Sequence, residues 1–217
     1  MLLLCSCIKA GAQNQTEDIA AQLPALRQGL GLSVVHWLDP IQPGVYLSYQ
    51  HQRRRLLFVR YQMGYLLFLN YSDQDGIQNL NGLRLRTSLR QYREPLIDRG
   101  NAPFWEAAVD YRYLDVTIAG DFSRSNFQFQ QRMDYSMWQH SFSLNVLAGF
   151  SLAFSQQVRF DVGIGAGLRL NYRQFSPVPE DSFFSTNGNP WLWKYGAREG
   201  FHATLSMPVI MDLCYFW

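Results

Sequence analysis

The chain has 217 residues, enough for one domain, and its 47% hydrophobic and 15% aromatic content is too apolar for a disordered chain. A formal net charge of +2, with no long run of Lys or Arg, lacks the electrostatic footprint of a nucleic-acid binder, so no nucleic-acid partner is expected. Lys9 and Lys194 are the only lysines among nineteen cations, and Arg is the side chain suited to crowded, multiply hydrogen-bonded ion pairs. That bias points to charge enclosed within the fold.

Residues 1–12 join the apolar run Leu2-Leu3-Leu4 to Ala10-Gly11-Ala12, the small-residue pattern that precedes a signal-peptidase cut. They are read as an export signal, and 13–217 as the mature domain. Leu4-Cys5-Ser6-Cys7 also resembles a lipobox, in which Cys7 would be acylated, and this alternative stays open. Removal of 1–12 leaves Cys214 as the one cysteine, so neither an intramolecular disulfide nor a Cys-based metal site is expected. No stretch of eighteen apolar residues occurs, which excludes a transmembrane helix. A membrane location would have to rest on strands.

Strands are expected at about 26–36, 44–52, 55–67, 81–93, 104–119, 137–154, 158–174 and 201–217. The first two are weakly patterned, which leaves a ten-strand or incomplete barrel as the alternative count. The later ones alternate strictly. In the fourth, Leu83, Leu85, Thr87 and Leu89 oppose Arg84, Arg86, Ser88 and Arg90. In the fifth, Trp105, Ala107, Val109, Tyr111 and Tyr113 oppose Glu106, Ala108, Asp110 and Arg112. The sixth sets Phe142, Leu144, Val146, Ala148, Phe150, Leu152 and Phe154 against Ser141, Ser143, Asn145, Gly149 and Ser151. A three-residue turn, Ser155-Gln156-Gln157, leads into the seventh, where eight apolar side chains from Val158 to Tyr172 oppose Arg159, Asp161, Gly163, Gly165, Gly167, Arg169, Asn171 and Arg173 over sixteen residues. Strands of soluble sheets usually run about five or six residues, whereas about nine to eleven are needed to cross a hydrocarbon layer. These strands are long enough to cross.

The connections, at 37–43, a two-residue turn at Arg53-Arg54, 68–80, 94–103, 120–136, 155–157 and 176–200, tend to alternate long and short, with 94–103 the poorest fit. Short turns on one side, long loops on the other and an even strand count are the pattern of an outer-membrane barrel with both termini periplasmic. Trp105, Tyr113, Trp138, Tyr172, Tyr215 and Trp217 fall near strand ends, where rings would sit at the two membrane interfaces. In the last strand Leu205, Met207, Val209, Met211, Leu213, Tyr215 and Trp217 form an unbroken apolar face ending on an aromatic residue. Leu213, Tyr215 and Trp217 are read as an assembly signal, with an ordinary closing strand as the alternative. Pro208 removes a ladder hydrogen bond there, and a local bulge is expected.

The Ala-Gly-Ala-Gln start, the Arg-Gln-Tyr-Arg-Glu-Pro-Leu step into an aromatic strand, the Gly-rich alternating hairpin and the aromatic last residue together resemble the small OmpA-like eight-stranded outer-membrane barrels of the Bacteroidota type, over roughly 26–217. The resemblance implies an all-β, closed, antiparallel, up-and-down transmembrane barrel in the outer membrane. It brings no catalytic motif.

With the apolar face toward lipid, the enclosed set is Arg84, Arg86, Arg90, Glu106, Asp110, Arg112, Arg159, Asp161, Arg169, Arg173 and Asp212. An eight-stranded barrel is filled by side chains, so these are expected to form a mutual ion-pair plug rather than a proton or ion path. Gly163, Gly165 and Gly167 would leave room for the long arginines. His140 beside Ser141 and Ser143 resembles the Ser/His pair of outer-membrane lipid-A deacylases, but His140 and Ser143 point to opposite faces, and a nucleophile needs its base within hydrogen-bond reach. Asp73 and Asp75 lack the remaining ligands of a calcium loop. No catalytic residue, cofactor or metal is therefore expected. Phe183, Phe184, Trp191, Trp193 and Tyr195 in the 176–200 loop would be costly to expose unless they met the rim, lipid or a partner. The expected function is a non-enzymatic accessory or structural barrel beside a larger outer-membrane complex, in contact with outer-membrane lipid and other outer-membrane proteins. A lipid-modifying enzyme, a surface adhesin or ligand binder acting through its loops, and a secreted soluble barrel are the alternatives.

Overall fold

A computed structural model describes residues 28–34, 44–54, 56–66, 77–93, 96, 100–124, 128–177, 183–185 and 199–217. The export segment with Cys7, the Asp73–Asp75 loop, and Trp191, Trp193 and Tyr195 lie outside the described residues.

Alternating sequence becomes long strands: β1 (Gln28–Ser33), β2 (Gly44–Arg54), β3 (Leu57–Leu66), β4 (Ile77–Tyr92), β5 (Ala102–Arg124), β6 (Phe129–Ala153), β7 (Val158–Phe175), β8 (Phe183–Ser185), β9 (Gly200–Ser206) and β10 (Val209–Phe216). Strands β1 to β7 pair in sequence order, β9 and β10 both pair with β7, and β10 returns to β1. The sheet is therefore a closed antiparallel barrel of eight staves, β9 and β10 being two halves of the last one. Strand β10 closes the ring between β7 and β1, so those backbones satisfy each other inside the wall, while β9 is paired with β7 alone among the described residues.

The single last strand expected at 201–217 is interrupted at Met207-Pro208 rather than bulged. Proline has no N–H to give to the ladder, yet its carbonyl still accepts the Gly165 N–H at 3.0 Å. The stave stays attached to β7 on both sides of the break. Arg53 and Arg54 are the last residues of β2, not a turn; the chain reverses after them, with a register irregularity between Gln52 and Arg54. The largest departure is at 120–136, expected as a loop. There β5 and β6 continue as a hairpin, paired from Gly120↔Met133 to Arg124↔Phe129, and β8 adds to β5 at Asp121–Ser123. Gly, Ser, Asn and Asp made this stretch read as a connection, but a ladder outside the apolar zone needs no apolar face.

The glycines of β7 do not make room for arginines. Gly149 and Gly163 are cross-strand partners under the ring of Phe104, while Gly165 faces Leu147 and Gly167 faces Asn145. A Cβ built on Gly149 would stand 2.6 Å from Phe104 Cζ and 2.9 Å from the Gly163 Cα. Gly149→Ala should cost about 1–3 kcal/mol by overpacking, read as a lower urea midpoint in detergent micelles. An unchanged midpoint would mean the ring does not rest on these glycines.

Candidate functional site

Parity along each strand decides which side chains enter the barrel. The whole predicted set except Arg112 and Arg169 is buried, and those two are half-buried on the inward parity of β5 and β7. The pairs form across strands and across the lumen. Glu106 accepts from Arg86 at 2.6 Å and from Arg90 at 2.7 Å. Arg90 also reaches from β4 to Asp161 on β7, donates to the Tyr92 hydroxyl at 3.3 Å, and lies 4.0 Å over the Phe104 ring. Arg84 gives both Nε and a terminal nitrogen to Asp110, at 2.9 and 2.6 Å, while Asn145 donates to the other Asp110 oxygen at 2.8 Å.

Register gives Arg90 and Glu106 directly, but not the other partners. Arg86 lies opposite Asp110 but pairs with Glu106, which lies opposite Arg90. Asp161 and Asp212 are direct cross-strand neighbours, a like-charge pair that is destabilising by itself. Each is neutralised from elsewhere: Asp161 by Arg90, and Asp212 by Arg60 at 2.5 Å. Arg60 was not singled out from the sequence. Its signal was there in β3, where Val59, Tyr61, Met63 and Tyr65 alternate with Phe58, Arg60, Gln62 and Gly64.

Arg159, Arg169 and Arg173 also reach neutral acceptors. Arg159 donates to the Ser151 hydroxyl at 2.9 Å and to the carbonyls of Gly100 and Ser151 at 2.6 and 3.1 Å. Arg169 reaches the Ser206 hydroxyl at 3.2 Å, and Arg173 the Gln139 amide oxygen at 2.8 Å. Gln139, Ser141 and Asn171 are linked in turn at 2.7 to 3.1 Å.

The charged layer lies between two apolar clusters. Toward the short turns Phe58, Tyr92, Ala102, Phe104, Cys214 and Phe216 pack together, with Phe58 edge-on to Tyr92 and Phe216. Toward the long connections the cluster is Tyr46, Leu66, Leu80, Leu114, Val116 and Met137. Enclosure in low dielectric makes each ion pair sensitive to loss of one partner.

The outer surface is the complement. Leu30, Leu47, Met63, Leu85, Leu89, Trp105, Val109, Phe142, Leu144, Val146, Phe150, Ile164, Leu168, Leu170 and Leu205 are all exposed, an apolar surface far beyond the patches a soluble monomer shows. The belt has an upper limit written in the alternation. Above Tyr113 the alternation continues but the polarity of the two faces is exchanged: the inward positions become apolar at Leu80, Leu114, Val116 and Met137, and the outward ones polar at Asn79, Asn81, Asp115, Thr117 and Ser136. Eight steps from Trp105 to Tyr113, at about 3.4 Å each and tilted by about 40°, rise about 21 Å, close to the about 25 Å apolar band of transmembrane barrels. Trp105, Tyr113, Trp138, Tyr172, Tyr215 and Trp217 all lie on the outward parity at or near its margins, and Leu213 lies on the same face of β10.

His140 is exposed on the outer face, its Nδ1 2.9 Å from the Tyr111 hydroxyl, whereas Ser141 and Ser143 are buried inside. The wall of the barrel separates the base from both hydroxyls. Phe183 and Phe184 belong to β8, opposite Ser123 and Phe122 of β5.

No protein-family model and no curated sequence matches the chain. Among solved structures it is similar to the N-terminal β-barrel domain of Pseudomonas aeruginosa OprF, at 8% identity and a TM-score of 0.44, covering 89% of this chain and 98% of that one. Neisserial surface protein A is similar at 12% identity and a TM-score of 0.41, covering 88% of this chain and 93% of that one. The barrel architecture stands on the strand pairing itself.

Proposed function

We propose that this chain is an integral outer-membrane β-barrel, non-conducting and non-enzymatic, that serves as an accessory or structural subunit beside a larger outer-membrane protein. The observation that carries the membrane reading is the continuous exposed apolar belt around a closed barrel that encloses the arginines of its mid-strand stretches, whereas Arg53, Arg54, Arg93 and Arg132 lie exposed at its ends. A water-soluble barrel would be turned the other way. In this reading residues 1–12 are removed on export, the short-turn end with both termini is periplasmic, and the long connections face out. The OmpA-like resemblance of the sequence, in its Bacteroidota form, agrees with that placement.

The accessory role is supported by what the barrel offers. Its lumen is filled, so transport is not served, and its outer-rim histidine stands apart from the serines, so hydrolysis is not served either. What projects beyond the belt is a rigid platform of β6, β5 and β8, suited to docking against another protein. Pull-down of the tagged chain in mild detergent should recover a stoichiometric outer-membrane partner, and shortening the hairpin to remove 121–132 should release it. Recovery of the barrel alone would defeat the accessory role. In planar bilayers the purified chain should give no stable conductance step; a steady open level would show that the two apolar clusters do not seal the lumen.

A further inference from the structure

Among the described residues the two rims of the barrel carry different charge. At the short-turn end the outward face of β2 runs Tyr49, His51 and leads to the exposed Arg53 at the irregularity between Gln52 and Arg54, and that of β4 runs Leu89, Gln91, Arg93. Each passes from apolar or aromatic, through neutral polar, to an exposed cation. Arg54 is exposed beside them. Arg54 pairs with Leu57 of β3 and Leu57 pairs with Gln91 of β4, so the ends of β2 and β4 flank one strand. Two inter-strand spacings, about 10 Å in all, span the group. The backbone N–H of Arg93 donates to the Pro103 carbonyl at 2.9 Å, which fixes that end of the cluster. Tyr49, His51 and Tyr61 stack above it with ring centroids 5.9 and 6.1 Å apart.

Among the described residues this rim has no outward Asp or Glu. Toward the other rim the outward parity of β5 and β6 carries Asp115 and Asp134, with Arg132 and Arg124 farther along the same hairpin and Glu199 exposed before β9. We propose that the Arg53, Arg54 and Arg93 cluster binds the headgroup phosphates of anionic glycerophospholipid in the leaflet at the short-turn end. The proposal rests on the membrane reading above. In that reading the surface directly below the apolar belt faces headgroups, and long Arg side chains extend from the belt margin to reach them. Guanidinium forks match phosphate oxygens in charge and geometry, and the stacked rings occupy the interfacial layer between acyl chains and phosphates.

The test uses the full chain folded in mild detergent, given equimolar phosphatidylglycerol, phosphatidylcholine and lipid A, with retained lipid identified by native mass spectrometry. Phosphatidylglycerol should be retained over phosphatidylcholine at low ionic strength, with a preference of about fivefold per engaged cation that falls in high salt. The combined variant Arg53→Gln, Arg54→Gln and Arg93→Gln should lose that preference, while Arg132→Gln at the opposite rim should keep it. Equal retention of the two phospholipids by the unmodified chain, a preference unchanged in the triple variant, or stronger retention of lipid A than of phosphatidylglycerol overturns the proposal. Entry into phosphatidylcholine vesicles separates the two failures: a chain that enters them without headgroup preference sinks this inference alone. One that stays soluble without detergent and retains no lipid sinks the membrane reading and this inference with it.

Discussion

Glu106→Ala should destabilise the barrel by about 3–5 kcal/mol, the cost of stripping one partner from a buried ion pair. The reason is geometric. One carboxylate receives Arg86 on one oxygen and Arg90 on the other, and both side-chain partners and Glu106 itself are almost wholly buried. Removing it leaves two guanidiniums facing each other with Asp161 as the remaining carboxylate on Arg90. Ser88→Ala is the matched control. Ser88 lies on the same inward face of β4, and its buried hydroxyl makes no hydrogen bond, so its loss should shift stability by less than about 1 kcal/mol. Urea unfolding in lipid vesicles, followed by tryptophan fluorescence, reads both. If Glu106→Ala and Ser88→Ala proved equally mild, water or ions would be relieving the charges, and the interior would not be a dry plug.

Val146→Arg should be nearly as costly, at about 2–4 kcal/mol, although the side chain is 59% exposed. Val146 stands midway along β6 between the rim residue Trp138 and Phe154 at the short turn, opposite Ala166 of β7. In water a substitution at so exposed a position would fall within about 0.5 kcal/mol. The penalty arises from placing a cation at the centre of a hydrocarbon layer. Gln174→Arg, exposed on β7 beyond the rim ring of Tyr172, should be close to neutral. The same vesicle unfolding assay distinguishes them, and a neutral Val146→Arg would mean that water, not acyl chains, surrounds the belt.

Much of this was legible in the chain. Strand parity from Leu83 to Arg90 and from Val158 to Arg173 separates apolar from charged side chains completely, and the structure keeps that separation between outside and inside. Parity also carried information that composition hid. In β3 it marks Arg60, and above Tyr113 the inward positions change from charged to apolar, so that Leu114 and Val116 fill the interior where the wall leaves the belt. The 120–136 hairpin was illegible because its Gly, Ser and Asn residues resemble a connection, and only pairing between β5 and β6 gives its backbone partners.

The sequence by itself determined the period of the strands, which face of each is apolar, and that the arginines between Arg84 and Arg90 and between Arg159 and Arg173 share one side of the sheet. Those follow from a side-chain repeat of two, which any extended strand obeys. Only the closed barrel decided which charges meet. Arg90 finds Asp161 from three strands away, Arg60 offsets the repulsion between Asp161 and Asp212, and Arg86 passes over the facing Asp110 to reach Glu106. An interior filled by side chains brings separate strands within ion-pair distance, as with Arg90 and Asp161, and that proximity has no counterpart in chain order.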